Sequence, residues 1–406
     1  MNLLNKPKVL LIPAWYPASF FTEQMRLVED AFDFKVLTGK RTKLGKKRAA
    51  FKILHGKFTF FSWIENKSTH DSQADIHISY SYIHFLSRYF EKKQYRFLNE
   101  YFENELDKLA KLGWKPDLIH IQSLNDTAVF VCNWAQKNKI PIILTEHIVF
   151  VRQDFDFFQM EKESVYSRVN KVLCVSNYVY RNLLINGFNI KDVGVIGNLV
   201  EDTFVPALFD KKEITNKKIL FVATHLADKD IEVLLKAVKL LIEADFVDIK
   251  VDVLGIDPHQ FYNNDCKDNY LLKEEINKLG LSAYFDIKGI LSSEDLLKSY
   301  KDYSIFVSTS FSETFGLAIA EALSNGIPVV ITDSGGPRDF VNESNGIIVP
   351  IRNPQSLAEA IKEMIKNVSA YNSSHLSNNI IRDYGRKAFS KIISEEYIQQ
   401  IKGNGY

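Results

Sequence analysis

Ser310-Phe311-Ser312-Glu313-Thr314-Phe315-Gly316-Leu317-Ala318-Ile319-Ala320-Glu321 is the stretch on which the reading of this chain turns. The apolar run Ser304 to Thr309 precedes it and reads as a buried strand. An apolar helical run follows and ends near Asn325-Gly326. A strand–loop–helix passage of this kind aims the first backbone N–H groups of a helix, and the positive end of its dipole, at one point. Gly316 has no Cβ, so a bound group can come close to the backbone there. Glu313 falls in the loop and Glu321 inside the helix. At about 1.5 Å of rise per residue, they lie at most ~12 Å apart along the axis. Burying Glu321 in so apolar a helix without a partner is costly. The plainer alternatives are a helix-start acid at Glu313 and a solvated Glu321.

Downstream, the strand-like run Pro328 to Ile331 leads into Gly335-Gly336-Pro337, a second loop on the same edge of a parallel sheet. Glu, seven residues, Glu, with a central Phe-Gly-Leu and a following Gly-Gly, closely resembles the signature of the retaining glycosyltransferases of family 4. The resemblance implies an α/β architecture, the GT-B fold, with two Rossmann-like parallel-sheet domains facing across a cleft. Residues 1–205 would form the acceptor domain, 206–385 the donor-binding domain, and 386–406 a helix crossing back. The implied activity is hexosyl transfer from a UDP- or GDP-linked sugar to a glycan or lipid-linked acceptor, with no metal or other cofactor.

The same resemblance implies roles for particular residues. Glu313 and Glu321 would clamp the two ends of a donor. Thr314, Phe315, Gly316 and Leu317 would offer backbone to its charged middle. Lys229, in Thr224-His225-Leu226-Ala227-Asp228-Lys229, matches a cation that touches the diphosphate, while Ala223-Thr224 stands where the family usually has Gly-Arg. Ile290, after Ile287-Lys288-Gly289, matches a turn against the nucleotide base. His147 matches a histidine that contacts the donor sugar, and Asn198 the asparagine that closes the first domain. Trp15 and Tyr16, in Pro13-Ala14-Trp15-Tyr16-Pro17, either face the acceptor or pack against the core.

The rest of the chain is consistent with this and adds limits. With 406 residues, two domains are expected. Hydrophobic content of 46% and charged content of 25% are those of a globular chain with a large core. A formal net charge of +1 gives no sign of a nucleic-acid partner. Cys132, Cys174 and Cys266 suggest neither a disulfide framework nor a zinc site, so a reducing, cytoplasmic compartment is expected. The first apolar run, Val9 to Ile12, is ended by Pro13 and reads as a strand rather than a signal peptide. No run approaches the roughly 18 apolar residues of a membrane span.

Further strands are expected at Lys35–Leu37, Asp117–Ile121, Ile142–Thr145, Val172–Ser176, Val193–Ile196, Lys218–Ala223, Ile249–Gly255 and Gly346–Pro350, with a helix near Thr22 to Phe32. Gln122-Ser123 and Glu146-His147 then fall at carboxyl ends of strands, where ligands of open α/β sheets bind. Aromatics from Tyr80 to Phe102 recur at helical intervals. Asp154-Phe155-Asp156 reads as a chance match to a metal-binding motif. Between Lys40 and Lys57 stand eight Lys/Arg and no acids, mixed with Phe51, Ile53 and Leu54. That run is either a solvated loop or a basic surface for anionic lipid, with a peripheral place on the inner face of the cell membrane. A sugar-nucleotide epimerase, a phosphorylase and a non-catalytic partner subunit of the same fold remain as other readings.

Overall fold

Short apolar runs alternate with amphipathic ones along the chain, and the computed structural model assembles them into two separate parallel sheets. The structure describes residues 6–14, 19–43, 76–82, 88–150, 157–201, 217–223, 229–258, 261, 267–292, 295–296 and 299–403. The chain divides into two compact units. One comprises Met1–Val175, Val179–Ile196 and Ser390–Tyr406; the other comprises Ser176–Tyr178 and Gly197–Phe389.

In chain order the first unit has β1 (Lys8–Pro13), α1 (Ser19–Arg26), β2 (Asp33–Lys43), β3 (Ile76–Tyr82) and α2 (Arg88–Lys111). There follow β4 (Leu118–Gln122), α3 (Asp126–Asn138), β5 (Ile142–Glu146), α4 (Phe157–Arg168), β6 (Lys171–Cys174), α5 (Asn177–Ile185) and β7 (Val193–Val195). The sheet order is β3-β2-β1-β4-β5-β6-β7. The central strands β1, β4, β5 and β6 are almost wholly buried, as in a parallel sheet covered on both faces. The helix α3 begins where the Asn125 side chain accepts a hydrogen bond from the N–H of Ala128 at 2.9 Å.

The second unit has β8 (Lys218–Val222), α6 (Ile231–Glu243), β9 (Lys250–Leu254), α7 (Lys267–Lys278), β10 (Phe285–Gly289), β11 (Ile305–Ser308) and α8 (Leu317–Ser324). It continues with β12 (Val329–Thr332), β13 (Gly346–Val349), α9 (Pro354–Asn367), α10 (Ser373–Tyr384) and α11 (Arg386–Gly403), whose residues from Ser390 onward belong to the first unit. The order is β10-β9-β8-β11-β12-β13. Ile231, Leu234, Leu235, Val238 and Leu241, spaced three and four apart, form the buried stripe of α6. In each unit the sheet order reverses beside its first strand, at β1/β4 and at β8/β11. That is where open α/β sheets leave a crevice at their carboxyl edge.

Three expectations are corrected. The second strand is not three residues but runs on through Lys40, Arg41 and Lys43, paired with β3, so the start of the basic stretch is sheet. Its remainder, to Lys57, lies outside the described residues. The strand β3 was not anticipated: Tyr80 and Tyr82 are in it, and the helix holding Phe97 and Tyr101 begins only at Arg88. Finally, α1 spans Ser19–Arg26 rather than Thr22 to Phe32. Asp154 and Asp156 also fall outside the described residues. Among the described residues no helix is long and apolar enough to cross a membrane.

Candidate functional site

The second unit brings Lys229 and Glu313 together at the carboxyl edge between β8 and β11. Lys229 ends the loop after β8, and Asp230 behind it takes a left-handed turn, φ 42°, into α6. Its ammonium group forms a close ion pair with Oε1 of Glu313, each side chain about four-fifths covered. The same carboxylate oxygen accepts from the Ser310 hydroxyl at 2.7 Å. The backbone of Glu313 is fixed on both sides: its N–H donates to Ser334 O at 2.8 Å, and its C=O accepts from Gly336 N at 2.8 Å. The Gly-Gly turn is therefore a brace for the Glu313 loop. A Cβ on Gly336 would stand 2.2 Å from Thr314 O, so only glycine fits.

Beyond Glu313 the chain turns into α8. Gly316 has φ 90° and caps that helix. A Cβ there would meet Pro337 Cγ at 2.8 Å. The missing Cβ leaves room for the Pro337 ring. The Phe315 ring is buried between Phe340 and Tyr384, with ring centroids 5.1 Å away in each case, so its side chain is a packing element. The Thr314 carbonyl accepts a close hydrogen bond from Ser176. Leu317 is exposed at the first turn of α8, where the N–H of Ile319 donates to Gly316 O at 3.0 Å and those of Leu317 and Ala318 precede the helix's own hydrogen-bond ladder.

Glu321 lies on the same helix among apolar residues. Desolvation pushes its pKa up to about 7, against the lowering effect of the Tyr300 hydroxyl, with the Glu201 carboxylate adding a further upward push. That hydroxyl sits 3.4 Å from Oε2 of Glu321 and from Ala318 O. Ile290 follows β10 and is 71% exposed. Asn198 is buried, and its side-chain oxygen has no hydrogen-bond partner among the described residues.

The first unit carries His147, at the end of β5. Its Nε2–H donates to Gln122 Oε1 at 2.6 Å, and the Gln122 amide donates onward to Gln24 Oε1 at 3.2 Å. The ring is buried, and so is Glu146 beside it. Both Glu146 oxygens accept hydrogen bonds: Oε1 from His147 N and Ile148 N, Oε2 from Leu124 N and, at 2.8 Å, from the Tyr166 hydroxyl. Desolvation raises its pKa against those bonds. One strand over, His120 bridges Thr145 Oγ1 at 2.7 Å and the Tyr397 hydroxyl at 2.6 Å. Burial, with His147 nearby, brings its pKa down to about 3, so it is neutral.

His120 and Tyr397 were not singled out from sequence, and Glu146 was noted only for its place at the carboxyl end of a strand. The signal available for Glu146 was a carboxylate directly at the end of a fully apolar strand. Trp15 and Tyr16, and Thr224 and His225, lie outside the described residues. Among the described residues no three His, Cys, Asp or Glu side chains cluster as a metal site would require.

Two family models match the chain. Residues 206–384 match "Glycosyl transferases group 1" and residues 65–204 match "Glycosyltransferase Family 4". Poly(ribitol-phosphate) alpha-N-acetylglucosaminyltransferase of Staphylococcus aureus is 24% identical over 269 residues, 64% of this chain and 50% of that protein. The chain spans about half the length of the first curated relatives it matches. Among solved structures, a glycosyltransferase from Rickettsia africae superposes with TM-score 0.70 at 18% identity, covering 98% of this chain and 99% of that one. Anabaena HepE in complex with UDP gives 0.65 at 15% identity, with 97% and 100% covered. At such identities these likenesses show the fold.

Proposed function

We propose that this chain, whose residues 206–384 match the group 1 glycosyl transferases and residues 65–204 glycosyltransferase family 4, and whose two units give the GT-B fold, moves a sugar from a nucleoside diphosphate sugar to a glycan or lipid-linked acceptor, retaining anomeric configuration. The observation that carries this reading is the Lys229–Glu313 pair beside the start of α8. A nucleotide sugar already holds a good leaving group, so the protein's task is to position it and to neutralise charge building on the diphosphate. Lys229 and the leading N–H groups of α8 do that, with no metal required. Glu313, steered by Ser310 and the Gly335-Gly336 turn, holds hydroxyls of the sugar, and Glu321 those of the ribose. The exposed Ile290 turn lies against the base. On the first unit, His147 contacts the donor sugar, and Trp15 and Tyr16 serve the acceptor. The UDP in the HepE structure makes uracil the first base to try.

The setting we propose is surface polysaccharide assembly, such as lipopolysaccharide or capsule, from the cytoplasmic side. There the basic residues between Lys40 and Lys57 would meet anionic lipid. Incubation with a panel of UDP- and GDP-linked sugars, followed by proton NMR of the product linkage, tests the reading. Transfer with the donor's anomeric configuration is expected. An inverted linkage, or hydrolysis and transfer absent with every donor, contradicts it.

A further inference from the structure

Lys229 is already matched by Glu313, so the pair brings little net charge to a diphosphate, which carries two negative charges in a nucleotide sugar. Another cation is needed close by. The loops after β8, β11, β12 and β13 share one edge, because these strands are all parallel. Among the described residues, two arginines stand on that edge. Arg338, after β12, is held by both oxygens of Asp333, Nη2 at 2.7 Å from Oδ2 and Nε close to Oδ1. That guanidinium is spent.

Arg352, after β13, differs. It is exposed, at φ 55°, and forms no salt bridge among the described residues. Its guanidinium lies over the Phe311 ring, 4.6 Å from the centroid. Phe311 is two residues before Glu313 in the same loop. The charge of Arg352 also reaches Asp230, the residue after Lys229, where it counters desolvation and Glu232, which raise that carboxyl's pKa.

We infer that Arg352 is a second cation for the donor diphosphate, held flat on Phe311 beside the Lys229–Glu313 pair; the inference rests on the nucleotide-sugar reading above. Stacking uses the face of a guanidinium and leaves its in-plane N–H donors available, the arrangement suited to paired phosphate oxygens. It also limits the side chain's rotamers before a ligand arrives. A purely structural role would instead have Arg352 brace the starts of α6 and α9.

Calorimetry on the full chain separates the two, with UDP against uridine and GDP against guanosine. Arg352→Ala should weaken the preferred nucleoside diphosphate about tenfold and leave its nucleoside unchanged, the effect of one charge-assisted contact. Arg352→Lys should recover part of that loss, and Phe311→Leu should show part of it with Arg352 intact. Thermal unfolding should barely move in any of the three. If the parent prefers the diphosphate and Arg352→Ala binds it equally well, or loses both ligands alike, the inference is overturned while the nucleotide-sugar reading stands. If the parent does not distinguish diphosphate from nucleoside, the reading fails and takes the inference with it.

Discussion

At the strand ends of the first unit, polar side chains satisfy one another away from water, whereas at those of the second, charged side chains remain part-exposed. Around His147 the groups are neutral or fully bonded: His120 without charge, Glu146 with four donors, Gln122 passing a hydrogen bond to Gln24. Around Glu313 there are Lys229, Asp230 and, over Phe311, Arg352. The first arrangement holds a histidine in one orientation; the second keeps charge available for a charged ligand. A buried polar network is costly unless complete, so its members are structural by default. Opposite charges gathered at a sheet's switch point, only partly covered, lack that explanation.

Substitutions can break this comparison. Glu313→Gln keeps shape and the Ser310 contact but removes the charge, and should cut the transfer rate by about 10²–10³, as loss of one preorganised polar group does. Circular dichroism should remain that of the parent. Steady-state rates within a factor of two of the parent would deny Glu313 its role.

In the first unit the expected loss is stability instead. Glu146→Ala strands the backbone N–H groups of Leu124 and Ile148 and the Tyr166 hydroxyl, while His147 N–H keeps Ser123 Oγ at 3.2 Å, and should cost about 1–3 kcal/mol per group left unsatisfied. Glu146→Gln should restore much of it. Urea titration reads both. A variant as stable as the parent would mean the network is not holding the strand end.

A subtler effect separates Glu321 from its neighbours. Its folded pKa, about 7, lies above the ordinary 4.5. Between those values the folded state binds more protons than the unfolded one, so stability falls as pH rises through that window. Below 4.5 both states are protonated and the contribution is complete; above about 7 it is gone. Glu321→Gln should therefore flatten the melting temperature between pH 4.5 and 7 relative to the parent. Parallel curves for the two proteins would rule this out. The smallest change should come from a chelator: EDTA ought to leave transfer unaltered, and a loss reversed by a divalent cation would show that the protein cations do not suffice.

The fold was largely legible because its signal is local. An apolar run, a loop and an apolar helix with Gly316 at the joint are read between Ser304 and Ser324. Ile231, Leu234, Leu235 and Val238 declare their helix by spacing alone. Legibility failed where the same residues suit two structures. Tyr80 and Tyr82 fit either an aromatic helix face or an alternating strand, and pairing with β2 decided for the strand. It failed again where a role depends on distant partners. His120 is silent until Thr145 and Tyr397, 277 residues away, are placed on its two nitrogens. Arg352 reads as one more loop arginine until Phe311 lies beneath it. Spacing brought Glu313 and Gly316 into view and the family resemblance brought Lys229, but neither showed Pro337 in the space beside Gly316.

Lys229 is the most direct point at which to test the account. Titration calorimetry would compare nucleoside diphosphate with nucleoside, in the parent and in Lys229→Ala. The predicted result is a loss of about tenfold or more for the diphosphate, with nucleoside affinity unchanged, since the side chain should meet only the phosphates. Equal losses for both ligands, or none for either, would contradict the claim that this charge pair is where the donor is held.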